Sequence, residues 1–376
     1  MPWGTATPNS YAVVSARGCV ECVSHARVSL CMAEWYPFNM MRQPSLFEVL
    51  NINAPRNDAE STGGQLEVYD FFASAGGFST GAEQAGARVV YACDMCPKAL
   101  ETHRRNHRHT KHQCVVLPND EAVARLPSDG RRFHVHCSPP CVKLSSINRV
   151  NAFEKQSGVE QKGQAVDLVE WSLKMMLDSR CTSWSFEQVA SAEVVGAVKR
   201  AARAHPGSVA WARLDFSLLG VPQIRTRLIA GTPRLVSRLQ RLCARSRRRS
   251  VRAVLPSLKG THVHQGCSYT RKRRRLNRKK GETKYVTTKA TWSDNCRSVD
   301  LPAHTVRGRH APTWVTIRNG KAVDHRVFLP REMAILQTFP HDYKLPTRKF
   351  DAYLHVGNAV PPLVAKLLLE DEARGA

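Results

Sequence analysis

Acidic residues are scarce in this chain: 31 Asp and Glu stand against 56 Lys and Arg in 376 residues, a formal net charge of +25. A surplus of that size calls for a polyanionic partner or an acidic surface. Long apolar runs are missing too. No window approaches eighteen consecutive apolar residues, which argues against a membrane span. The opening segment MPWGTATPNSYAVVSARG lacks the basic-then-apolar layout of a signal peptide, so an intracellular protein is expected. The twelve cysteines do not read as a disulfide framework, because that reading belongs to short secreted chains. Reduced thiols are expected instead, most of them buried. No internal repeat is visible.

What is present is unevenly placed. Residues 234–290 hold 19 Lys and Arg against one acid, Glu282, and so carry +18 of the +25. Within this stretch lie RSRRRSVR (245–252) and RKRRRLNRKK (271–280). A solvated linker or a nuclear-import signal would have the same composition. Position favours nucleic acid, since the cluster interrupts the patterned chain instead of forming a tail. Residues 1–65 are near neutral, without sustained period, and read as a poorly ordered extension. Cys19, Cys22, His25 and Cys31 are zinc-ligand types, but their spacing matches no common finger, so no metal is expected.

From residue 66 strand and helix signals alternate, the mark of an α/β fold with a mostly parallel sheet. LEVYDFF (66–72) reads as a buried strand, followed by a helix from near Phe78. ARVVYACD (87–94) is a second strand, with a helix through PKALETHRRN after it, and RFHVH (132–136) a third. QAVDLVEWSLKMMLD (164–178) sets Val166, Val169, Leu173, Met176 and Leu177 at helical spacing. SWSFEQV and VAWARLD read as strands flanking an Ala-rich helix over 190–204. Asn319-Gly320 marks a turn between two strand-like runs, and Pro330 opens a helix.

Two places carry chemistry. The first is a strand, a Gly-containing turn (Asp70 through Phe78) and a helix, with Asp94 ending the next strand. Such an arrangement binds an adenosine, the acid accepting ribose hydroxyls. G-x-G-x-x-G, which a pyrophosphate needs for close approach, is absent; adenosylmethionine carries no phosphate, so the reading tilts to a methyl donor. The second place is CSPPC (137–141), where two prolines stiffen the chain before Cys141 at the carboxyl edge of the sheet. A thiol there serves either as a nucleophile or as a buried packing residue.

The ordered set DFFASAGGF, SPPC, FEQV, GVPQIRTR, LPREMAILQTFP and HVGNAVPP resembles the motif series of DNA (cytosine-5) methyltransferases, from residue 66 to about 368. The resemblance implies a class I, Rossmann-like S-adenosylmethionine methyltransferase fold: an open, mixed seven-stranded sheet with a small basic target-recognition domain. It implies a catalytic domain over 66–232, a basic target-recognition region over 233–298 and a segment over 299–376 returning to the catalytic domain. Cys141 would add to C6 of a flipped-out cytosine, next to Pro140, which shapes the loop. Glu187 would hold N3 and the exocyclic amine, with Arg225 and Arg227 lining the base pocket, and Gln223 would help hold their strand. Asp70, Phe72, Ser74, Gly76, Gly77, Asp94, Met95, Asp120 and Asn358 would form the donor site for S-adenosyl-L-methionine.

The implied enzyme is a monomer acting on double-stranded DNA, without a membrane partner. It would work in a prokaryotic cytoplasm, or in a nucleus or viral factory in another host. The chain departs from the family pattern in several places. Ser74 stands where Gly is usual, Gln188 where Asn is usual, and VKLSS follows the nucleophile. Asp120 is preferred over Asn119 as the acid at the adenine edge. Two alternatives remain at this point: a transfer-RNA methyltransferase, whose Cys-Phe-Thr element is not found here, and an inactive nucleic-acid-binding homologue.

Overall fold

The computed structural model describes residues 64–140, 155–245, 248–264, 296–308, 311–318 and 321–375, all within one compact unit, Pro44–Ala376. The side chains of 155–164 and 321–322 are not described. Cys141, the basic run 271–280, the Asn319-Gly320 turn and the Cys19–Cys31 group lie outside the described residues.

The large sheet has seven strands in the order β3-β2-β1-β4-β5-β7-β6. These are β1 (Glu67–Phe71), β2 (Arg88–Asp94), β3 (Lys111–Cys114), β4 (Phe133–Cys137), β5 (Ser183–Gln188), β6 (Ala210–Asp215) and β7 (Thr226–Gly231). The first five are parallel, whereas β7 runs antiparallel between β5 and β6. The expected mixed seven-stranded sheet is therefore present. Every residue of β1, β4 and β5 is buried, as strands covered on both faces require.

The covering helices are α1 (Gly77–Gln84), α2 (Pro97–Asn106), α3 (Asp120–Val123), α4 (Lys155–Asp178), α5 (Ala192–Ala204) and α6 (Pro233–Arg245). On one face Val169, Leu173 and Met176 of α4 and Val194, Ala197 and Val198 of α5 pack against Phe71, Phe133, Val135 and Phe186. That apolar stripe is the one the periodicity of 164–178 predicts. On the other face Phe78 and Ala82 of α1 and Leu235, Val236 and Leu239 of α6 meet Val68, Val89, Leu214 and Ile229. In space, then, the basic stretch begins with a helix of the large lobe.

A short α7 (Val251–Val254) leads into a four-stranded antiparallel sheet, order β11-β10-β8-β9. Its strands are β8 (His262–His264), β9 (Cys296–Ser298), β10 (Thr313–Arg318) and β11 (Lys321–Val327). Strands β10 and β11 pair on either side of Asn319-Gly320. Then come α8 (Pro330–Leu336), α9 (Lys349–Asn358) and α10 (Pro362–Ala373). Val263, Val306, Trp314, Phe328 and Leu336 form a third core beneath this smaller sheet. Helix α10 returns to the large lobe, where Leu363, Val364 and Leu368 join the α1–α6 core. Two glycines allow that contact. A Cβ on Gly77 would lie 2.3 Å from the Val360 carbonyl, and one on Gly81 would lie 2.1 Å from that of Pro362.

Candidate active site

The chain leaves β1 through a tight turn into α1. Phe72 (φ 62°), Ser74 (φ 48°) and Gly76 (φ 88°) all take the left-handed conformation there. Asp94, at the end of β2, holds this turn. Its carboxylate accepts from the Ser74 N–H at 2.9 Å and from the Cys96 N–H at 2.8 Å. Burial raises the Asp94 pKa, and these backbone bonds oppose the rise. Tyr343, buried, donates its hydroxyl to the Ala75 carbonyl, tying the turn to the C-terminal part of the chain.

Asp70 lies beneath the turn, at 0% exposure. Its carboxylate accepts from the Ser79 hydroxyl at 2.7 Å, and burial pushes its pKa up to about 7. The Ser79 hydroxyl lies 3.0 Å from His103, whose other ring nitrogen is 2.8 Å from His112. Burial keeps His103 neutral, its pKa well below the usual histidine value.

At the other end of the site, β4 stops at Cys137 and the chain passes through Pro139 and Pro140. The Gln188 amide donates to the Pro139 carbonyl at 2.7 Å and accepts from the Val189 N–H at 2.7 Å. Gln188 thus spans from β5 to the proline loop. The β5–β7 register pairs Glu187 with Ile229, which puts Arg227 two residues along on the same face. The two side chains form an ion pair, Arg227 Nε to Glu187 Oε1 at 3.1 Å, and both are largely buried.

These two ends share one cavity of about 750 Å³. Of the residues expected at the donor site, Phe72, Ser74, Gly77, Asp94, Met95 and Asn358 line it, and of those expected at the base pocket, Pro140, Glu187, Arg225 and Arg227 do. Three expected residues are not on the wall. Asp70 faces the polar chain just described, and Gly76 packs under His107 and Tyr343. Asp120 lines a separate cleft with Trp171 and Arg180, while Asn119 caps α3 by accepting from the Ala122 N–H at 2.9 Å. Val115 and Leu117 occupy the cavity wall near β3 instead.

Arg225 does more than line the cavity. At 2% exposure it donates to the carbonyls of Val306 (3.1 Å), Gly357 (3.4 Å) and Ala359 (3.3 Å). Gln223 donates to the Leu336 carbonyl at 2.9 Å and to the Gln337 side chain at 2.7 Å, and accepts from the Val306 N–H at 2.8 Å. Gln337 in turn donates to the Val356 carbonyl at 2.7 Å. This node stitches the Q-x-R-x-R segment to the C-terminal return. Sequence reasoning missed Gln337, Val306 and Tyr343, because each acts through a partner at least 80 residues away.

A model of the C-5 cytosine-specific DNA methylase family matches residues 66–162 and 208–372. Glu187 falls between these stretches, so its place at the site rests on the β4–β5–β7 register. Type II methyltransferase M.HgiDI of Herpetosiphon aurantiacus is 26% identical over 318 residues, covering 81% of this chain and 93% of that protein. M.HindV of Haemophilus influenzae is 25% identical, covering 81% of this chain and 95% of its own. Among solved structures, the S. pombe Dnmt2 methyltransferase shares the fold at a TM-score of 0.54 and 16% identity, with 83% of this chain and 100% of that one covered. With seven-tenths of its length matched by the family model, this chain belongs to the C-5 cytosine-specific DNA methylase family.

Proposed function

We propose that this enzyme transfers a methyl group from S-adenosylmethionine to C5 of a cytosine flipped out of double-stranded DNA, through a covalent adduct of Cys141 at C6. The observation that carries the reading is the Glu187–Arg227 pair facing the same cavity as the Asp94-held turn, with Pro140, the residue before Cys141, on its wall.

The donor end suits adenosylmethionine. Each Asp94 oxygen accepts one backbone bond and keeps a lone pair for a ribose hydroxyl. Phe72 and Met95 supply apolar surface, and a cavity of about 750 Å³ is ample for one such ligand. When bound, adenosylmethionine supplies an electrophilic methyl group. The protein's own task is to make C5 nucleophilic. The Cys141 thiolate forms a bond to C6, which moves electron density to N3, O2 and C5. Glu187 stabilises N3 and Arg227 stabilises O2. Arg225 orients the strand that carries Arg227. Once C5 is methylated it gives its proton to a water, the C–H electron pair re-forms the C5–C6 double bond, the C6–S bond breaks, and the thiolate returns.

Base flipping costs on the order of a few kcal/mol, which backbone contacts to phosphate offset. Within the basic region over 233–298, the part that follows α6 is the proposed reader of sequence, and the enzyme is proposed to act as an intracellular monomer. No helix among the described residues is long and apolar enough to cross a membrane.

The test is transfer of labelled methyl from adenosylmethionine to DNA and to RNA, for wild type and Cys141→Ala. Transfer to DNA that the substitution abolishes supports the proposal. Transfer to RNA alone would replace the substrate, and unchanged transfer by Cys141→Ala would sink the covalent mechanism.

A further inference from the structure

The formal charge of the basic stretch is not all available for phosphate. Arg234 pairs with Glu372, and Arg238 with Glu370 and Asp371, along the contact between α6 and α10. Arg248 pairs with Asp215 at 3.2 Å and Arg252 with Asp300 at 2.6 Å. Elsewhere the described surface carries cations that are not compensated in this way.

Residues 98–111 and 342–351 together hold eight Lys and Arg against three acids. Two of those acids are engaged: Glu101 with Arg104 at 3.5 Å, and Asp351 with Lys98 at 3.6 Å. The third, Asp342, is exposed. Arg105, Arg108, Lys111, Lys344 and Lys349 are exposed and have no ion-pair partner among the described residues. Asn106 locks the two segments together. Its amide donates to the Lys344 carbonyl at 3.1 Å and to the Thr102 carbonyl at 2.8 Å, and its oxygen accepts from the Lys344 N–H at 2.8 Å. The two backbones are therefore joined beneath these side chains, although the segments lie some 240 residues apart.

Position links this ridge to the active site. Cys96 and Ala99, at the start of α2, line the cavity, and α2 runs from there to Asn106. Asn358, at the end of α9, also lines it, and α9 begins at Lys349. Ten helical residues span about 15 Å, or roughly four to five base-pair steps of duplex DNA. Exposed cations spread along two segments suit a row of phosphates.

We propose that this ridge, Arg105 and Arg108 on and after α2 with Lys344 and Lys349 beside them, binds the DNA backbone beyond the donor end of the cavity, about 15 Å from that end. The inference rests on the proposal that DNA is the substrate. It adds a second electrostatic footprint outside the target-recognition region.

The experiment compares wild-type protein with the triple variant Arg105→Ser, Arg108→Ser, Lys344→Ser. A control, Arg180→Ser, Arg200→Ser, Arg203→Ser, removes equal charge from exposed positions around α4 and α5. Affinity for a 30-base-pair duplex is measured by fluorescence anisotropy at several salt concentrations, with thermal unfolding to verify folding. Three lost phosphate contacts should lower the slope of log Kd against log salt by about 2.7, with little change in the control. Equal slopes for the ridge variant and wild type would overturn the proposal. Wild-type methylation of the same duplex separates the two failures. If DNA is methylated but the slopes match, only the ridge falls; if DNA is neither bound nor methylated, the substrate reading falls and takes the ridge with it.

Discussion

At Ser74 the backbone keeps a left-handed φ of 48° even though the residue is not glycine. An L-residue in that region carries a strain of roughly 1–2 kcal/mol, against which glycine's extra unfolded-state entropy sets about 0.5–1. The turn is retained because Asp94 holds the Ser74 N–H and Tyr343 holds the next carbonyl. Ser74→Gly is therefore expected to raise stability by roughly 0.5–1 kcal/mol and to tighten adenosylmethionine binding. Denaturant unfolding and calorimetric titration measure the two effects, and a destabilised Ser74→Gly would show that the hydroxyl contributes something the backbone geometry does not explain. At this scale the motif residues were legible in the sequence, since ten of them line one cavity. Asp120 was not. Its neighbour Asn119 serves as a helix cap, and which of two adjacent polar residues turns toward a ligand depends on where the helix starts.

Among elements, β1, β4 and β5 carry a buried polar layer on one sheet face. His134 contacts the hydroxyls of Ser183 and Ser185 at 2.8 Å, and His136 contacts Ser185 at 2.8 Å with Phe78 stacked on its ring. Asp70, Ser79, His103 and His112 continue the polar groups on the other side of α1. Burial holds His134 at about 3 and His112 at about 4, and it lowers His103 as well. An unfolded histidine titrates near 6.5, so the unfolded chain binds more protons below that pH and stability falls on acidification.

Asp70 has the opposite sign. Its folded value of about 7 exceeds the unfolded one, so its protonated form favours the fold and stability is lost as pH rises from about 4 to about 7. Greatest stability is expected near pH 6–7. The stability of Asp70→Asn relative to wild type should rise between pH 5 and pH 8, read from urea midpoints at both. An equal offset at the two pH values would show that the Asp70 carboxyl does not titrate in this range. Most elements were readable from periodicity, including the α4 stripe. Strand β3 was not: KHQC is a polar edge strand with no apolar alternation to find.

Over the whole molecule, the C-terminal return packs against the helix that follows the Asp94-held turn. Helix α10 lies close enough to α1 that Gly81 has no room for a methyl group, its Cβ position being 2.1 Å from the Pro362 carbonyl and 2.6 Å from the Ala365 side chain. Gly81→Ala is expected to cost on the order of 2–3 kcal/mol and to weaken donor binding, because α10 follows closely on Asn358 at the end of α9. Gly196→Ala, in α5, meets only the tip of the Arg200 side chain at 3.5 Å and should stabilise by roughly 0.5–1 kcal/mol. Thermal unfolding of both variants checks the pair, and similar changes for the two would refute the close-packing argument.

The family and the fold class of this protein were determined by sequence alone: motif residues sit in local strand–turn–helix contexts whose patterns survive in the linear chain, and alternation was enough to read an α/β sheet. Tertiary structure alone decided which cations stay free for a polyanion. Arg234 and Arg238 are as basic in composition as Arg105 and Arg108, yet acids of α10 pair with the first two, while the others have no ion-pair partner among the described residues. It also decided that Arg225 ties the two lobes together, since its carbonyl partners at 306, 357 and 359 are reached only after the chain folds back. Local pattern encodes what a residue can do, while long-range packing sets which partner it meets and how much of its charge or hydrogen-bonding capacity remains for a ligand.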